Sequence, residues 1–185
     1  MDVFTWTLST LDSSLRLAVP LIFAAMGGIF SERSGVVDIG LEGKMLFAAF
    51  MAAAVSAVSG SVWLGLFSAI GASVLLSLVH GYACINQRGD QVISGLAVNF
   101  FASGMTITLG HAWFGRGGQT PTLESGQRFL VQTLPGSEWM KAHVPIIGPL
   151  YEELISGHTL LVYLAFVAVV VTGWVLFQTR FGLRL

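Results

Sequence analysis

Five apolar runs, each near the about twenty residues a helix needs to cross a bilayer, constrain this chain more than any other feature. They lie at Leu11 to Phe30, Gly43 to Ser59, Val62 to Ile85, Val92 to Trp113 and Thr159 to Phe177. With 54% of 185 residues hydrophobic and only 10% charged, there is too little charge to solvate so much apolar surface. The expectation is an all-α integral membrane protein, a polytopic bundle of about five transmembrane helices. The formal net charge of -1 offers no basic field for nucleic acid. Cys84 is the single cysteine, so a disulfide framework and a multi-cysteine metal site are both excluded, and it reads as a small apolar residue within a span. The N-terminus lacks the basic region and the small-residue cleavage site of a signal peptide, so the first span should be retained.

Between the first two spans lies ERSGVVDIGLEGKMLFAA, from Glu32 to Ala49, which crowds Glu32, Arg33, Asp38, Glu42 and Lys44 together with Gly35, Gly40 and Gly43. An ionised side chain at the bilayer centre costs about 2.5 to 3.5 kcal/mol, so this segment must avoid lipid. Each glycine weakens a helix by about 1 kcal/mol relative to alanine, which predicts a helix break at Gly35, Gly40 and Gly43 and a broken or re-entrant entry into the second span. Irregular backbone at membrane depth is tolerated only where protein or a water-filled cavity covers it. The same spacing fits a short cytosolic loop equally well.

The remaining connections are simpler. Arg16 can snorkel from the first span, which neighbours can accommodate despite Pro20, and Ala24 with Gly28, like Ser77 with Gly81, offers a close-approach face. Ser59, Gly60 and Ser61 form a turn, and Asn86 to Asp90 a short polar connection. His80, near the end of the third span and without a carboxylate in its local sequence, reads as interfacial. From about residue 115 to 158 prolines, glycines and mixed charges interrupt every apolar run, giving a long extramembrane excursion in which FLVQTL and EWMKAHVPIIGPLYEELI could supply a short interfacial helix or re-entrant piece. Glu152, Glu153 and His158 within it match no metal-ligand spacing. Basic residues in short connections orient the chain. Arg33, Lys44, Arg88, Arg180 and Arg184 fall on one side, which should be the cytoplasm, leaving the N-terminus and the long loop outside.

No P-loop, triad or zinc signature is present, so neither an enzyme nor a resident cofactor or metal is expected. Transport fits better, because polar residues recur on helical faces. On the second span Asp38, Glu42, Met45, Ala49, Ala52 and Ser56 share a face, and on the fourth Gln91, Gly95, Asn99, Ser103, Thr106 and Gly110 form one stripe. These faces nominate Asp38, Glu42, Gln91, Asn99, Ser103 and Thr106 for a substrate path. A buried amide must be hydrogen-bonded either to a ligand or to another helix, so interhelical bonding is the alternative reading of the same stripe.

At ERSGVVDIGLEGKMLFAAF, Glu32 to Phe50, the chain resembles the transmembrane permease subunit of ATP-binding-cassette importers in the simple-sugar and nucleoside branch, whose pattern is similar to E-R-S-G-V-V-N-I-G-x-E-G. Asp38 stands where that pattern carries asparagine. WLGLFSAI at Trp63 to Ile70, QVISGLAVNFFASG at Gln91 to Gly104 and TRFGLRL at Thr179 to Leu185 extend the resemblance in the right order. It implies a single permease domain over residues 1 to 185, with a larger helical fold continuing past it as in ribose-type permeases, so that this chain is the N-terminal part. Arg180, Gly182 and Arg184 would then lead into the region that couples to the ATPase. The resemblance further implies a bacterial-type plasma membrane and three partners: a cytoplasmic subunit that binds and hydrolyses ATP, a second permease subunit as homo- or heterodimer, and an extracytoplasmic solute-binding protein. An ion-coupled secondary carrier or a non-transporting scaffold are the alternatives, the first disfavoured by the lack of an inverted repeat.

Overall fold

A computed structural model describes residues 3–132 and 156–185. The interfacial piece expected around EWMKAHVPIIGPLYEELI, with Glu152 and Glu153, lies outside them. The five expected spans are five helices, each long and apolar enough to cross a membrane: α1 Val3–Arg33, α2 Leu41–Ser59, α3 Val62–Gly81, α4 Gln91–Phe114 and α5 Leu160–Gln178. The chain belongs in a membrane as a multi-pass helical protein. By internal compactness it divides into two units, residues 1–26 with 129–184 and residues 27–128 with 185, and α1 runs through the boundary.

In the unit of residues 27–128, glycine sets how closely the helices approach. A β-carbon on Gly65 of α3 would collide with the Ser56 hydroxyl and lie 2.7 Å from the Ala52 carbonyl oxygen of α2, so the first turn of α3 rests directly on α2. The connection that makes this possible is short because Gly60 closes α2 at φ 70°, a left-handed conformation that costs glycine little. On its other side α2 meets α4. Gly43 faces Asn99 and Gly40 faces Gly95, where an added β-carbon would come within 2.7 Å of the Asn99 Cα and 2.9 Å of the Gly40 nitrogen respectively. Further along the same seam, Phe50 and Trp113 stack with ring centroids 6.0 Å apart.

Helix α3 does not end as a plain α-helix. It continues as a π-helical turn, Tyr82–Asn86, before the sharp connection in which Arg88 takes φ 53° and the Gly89 N–H donates to the Ala83 carbonyl at 2.9 Å. Asp90 then caps α4, its carboxylate accepting from the Val92 and Ile93 amides at 2.8 and 3.0 Å. The outward faces of these helices carry Phe67, Leu78, Ile93 and Phe100, all exposed, as expected where bilayer supplies the apolar surroundings.

The other unit has its own small core, Val19 with Val162 and Ala165 and the partly buried Ile22 and Phe23. Val131–Gln132 pairs antiparallel with His158–Thr159, so the chain is drawn back to the start of α5. Arg16, expected to snorkel, is held by Asp12 at 3.1 Å and donates to the Gly157 carbonyl at 3.3 Å. His158 is buried, with Nδ1 3.0 Å from the Ser156 carbonyl and Nε2 3.3 Å from Asp12. No metal-binding group of His, Cys, Asp or Glu forms among the described residues.

Candidate functional site

The polar stripe of α4 and the irregular link before α2 meet, and the stripe divides into two parts with different chemistry. The link, residues 34–40, is a short turn-and-coil passage that interrupts the helix between α1 and α2. Gly35 breaks the chain at φ 82°, Ser31 donates to the Val36 carbonyl at 2.6 Å, and Gly40 stands at the N-terminus of α2. Gly43 corrects the expected break, because it lies inside α2. Its missing side chain makes room for Asn99 instead.

Two carboxamides of α4 hold this link. Gln91 accepts from the Val37 amide at 2.7 Å and donates to the Gly35 carbonyl at 3.3 Å. Asn99 accepts from the Gly43 amide at 2.7 Å and donates to the Ile39 carbonyl at 3.1 Å. Gly43 belongs to the first turn of α2, where amides have no partner in their own helix, so Asn99 acts as a cap supplied from 56 residues away. Both ends of both side-chain amides are thereby bonded to backbone.

Asp38 belongs to this clasp as well. It precedes α2 and so is not on the helical face on which the spacing placed it. One carboxylate oxygen accepts from the Gly40 amide at 3.1 Å and the other receives the Lys44 ammonium. The Lys44 and Asp38 side chains are 4% and 10% exposed, so the charge of Lys44 is matched within the protein. His80 joins them. It is buried, with Nε2 3.8 Å from Asp38, Nδ1 3.0 Å from the Ser94 hydroxyl and the Cys84 sulfur 3.7 Å away. The carboxylate missing from its local sequence arrives from 42 positions upstream, a pairing that no local pattern reveals. Glu42 is exposed, one turn along.

Farther along α4 the surroundings change. An open cavity of about 580 Å³ lies between α2 and α4, lined by Leu46, Phe50, Ser103, Thr106, Gln119 and Thr120 among others. Asp38, Glu42, Gln91 and Asn99 do not line it. The Thr106 hydroxyl donates to the Ser103 carbonyl at 3.0 Å. The side chains of Ser103, Gln119 and Thr120 have no hydrogen-bond partner among the described residues. Gln119 and Thr120 went unnoticed in the sequence; the one signal for them is the glycine-rich run before them, in which Gly115 and Gly118 take φ 64° and 78° and return the chain over the end of α4. Of the residues at the end of α5, Arg180 and Arg184 are exposed. Gly182 is buried in a turn, its amide 3.3 Å from the Thr179 hydroxyl, where a β-carbon would strike the Leu176 backbone.

The family described as "branched-chain amino acid transport system / permease component" matches residues 10–185. The chain is 35% identical to a guanosine ABC transporter permease protein of Bacillus subtilis, over 100% of this chain and 57% of the relative. It is 33% identical to a putative glucose ABC transporter permease protein of Haloferax volcanii, over 95% of this chain and 50% of the relative. A nucleoside ABC transporter permease protein of Lactococcus lactis is 30% identical over 92% of this chain and 52% of the relative. The chain thus spans about half the length of the curated relatives it matches. No solved structure matches it.

Proposed function

Because the chain belongs to the family of branched-chain amino acid transport system permease components, we propose that it supplies part of the transmembrane path of an ATP-binding-cassette importer that takes up nucleosides. Simple sugars are the second reading, favoured by the glucose-named relative. The observation that carries the proposal is similarity of 30 to 35% to nucleoside-named permeases across 92 to 100% of this chain. On this reading a separate cytoplasmic subunit hydrolyses ATP, a second permease subunit completes the path, and an extracytoplasmic binding protein delivers the solute. Arg180 and Arg184, exposed after α5, would face the ATPase.

Deleting the gene in its native host tests this with labelled guanosine, glucose and leucine. Guanosine uptake should be lost and restored by the intact gene, with leucine uptake unchanged. Loss of leucine uptake alone would reject the reading. The orientation is testable separately. Arg33, Arg88, Arg180 and Arg184 favour a cytoplasmic location for their side, so a cysteine at Ser125, in a Cys84→Ala background, should react with an impermeant thiol reagent on intact cells while one at Gln87 stays unlabelled. The opposite pattern inverts the topology.

A further inference from the structure

We propose that the cavity between α2 and α4 is a site for an uncharged, hydroxyl-bearing solute, bordered by Gln119 and Thr120, and that Gln119 sets its specificity. The inference rests on the permease reading above and places its solute, and the choice between nucleoside and sugar, on named side chains. The volume, about 580 Å³, lies within the range of small-molecule sites. No charged side chain is among the described residues that line it. An amino acid brings a carboxylate and an ammonium, and this lining offers a counter-charge to neither. The amino acids named in the family description are therefore poor occupants of this cavity.

A neutral solute meets the opposite situation. Leu46 and Phe50 form an apolar wall, and Ser103, Thr106, Gln119 and Thr120 bring three hydroxyls and one carboxamide. Ser103, Gln119 and Thr120 are without a hydrogen-bond partner among the described residues, while the Thr106 oxygen still has lone pairs to accept with. Hydroxyls bond sugar oxygens without regard to which sugar presents them. A carboxamide, which donates and accepts side by side, matches the edge of a nucleobase, where donor and acceptor also lie adjacent. Gln119 is thus the group able to tell a nucleoside from a bare sugar.

The test uses the complete transporter in proteoliposomes, with its ATPase and binding protein. In Gln119→Leu the KM for guanosine should rise about tenfold, as expected for a lost hydrogen-bonding partner, with kcat within about twofold. Independently, a cysteine replacing Thr120 in the Cys84→Ala background should be shielded from an impermeant methanethiosulfonate by saturating guanosine and not by leucine. Guanosine transport by the wild type with an unchanged KM in Gln119→Leu and no shielding overturns the site and leaves the nucleoside reading intact. If glucose is transported and shields in place of guanosine, the uncharged site stands and the nucleoside reading fails. Shielding by leucine, or by no neutral solute, overturns the site.

Discussion

The two parts of the α4 stripe contain the same kinds of residue and use them differently. Near its N-terminus, Gln91 and Asn99 have each carboxamide group bonded to the backbone of the link before α2. One to two turns beyond Asn99, Ser103 and Thr106 line the cavity. What separates them is the neighbour on α2. Gly40 and Gly43 let backbone reach the first pair, whereas the larger Leu46 and Phe50 border the cavity at the second. Amphipathic spacing alone therefore does not distinguish an amide that joins helices from a hydroxyl available to a ligand; the size of the facing residue does.

Substitutions can break this comparison, and the largest effect belongs to the buried charges. Asp38→Leu leaves Lys44 buried and unpaired, which should destabilise the assembled transporter by about 3 to 5 kcal/mol. Adding Lys44→Met should recover much of the loss, measured as the thermal midpoint of the purified complex. No recovery in the double variant would mean that the pair is not coupled. Next, Asn99→Leu removes two bonds to backbone and leaves the Gly43 amide and the Ile39 carbonyl unsatisfied, for about 2 to 4 kcal/mol. The surviving protein should transport with an unchanged KM. A normal thermal midpoint with a raised KM would instead move Asn99 from the clasp to the solute path. Gln91→Leu acts on the more exposed end of the link and should cost about 1 to 2 kcal/mol by the same measurement. Ser103→Ala, on the cavity side, should leave stability within about 0.5 kcal/mol while raising the KM for solute severalfold. If it destabilises as much as Gln91→Leu, the contrast between the two parts disappears.

The sequence makes some of this legible for physical reasons. Bilayer thickness imposes a length on apolar runs, and for that reason five spans could be delimited to within a few residues, apart from α1, which continues well beyond its apolar stretch to Val3 at one end and Arg33 at the other. Gly35 could be read because a left-handed residue is a local property. Gly43 could not, since the reason for its small size is Asn99 on another helix. His80 and Asp38 illustrate the same limit: His80 has no carboxylate in its own segment, and only folding brings Asp38 to 3.8 Å. The cavity was half visible, through Ser103 and Thr106, while Gln119 and Thr120 come from a loop with no periodicity to read.

The bonds from Gln91 and Asn99 to the link also have a mechanical consequence. Four hydrogen bonds fasten the link and the start of α2 to α4, and a buried ion pair ties Asp38 of the link to Lys44 of α2, so bending the chain at this link would break those bonds and unpair Lys44. The glycines there, which in sequence look like a simple break, lie instead in a bonded joint between α2 and α4 whose far side borders the cavity.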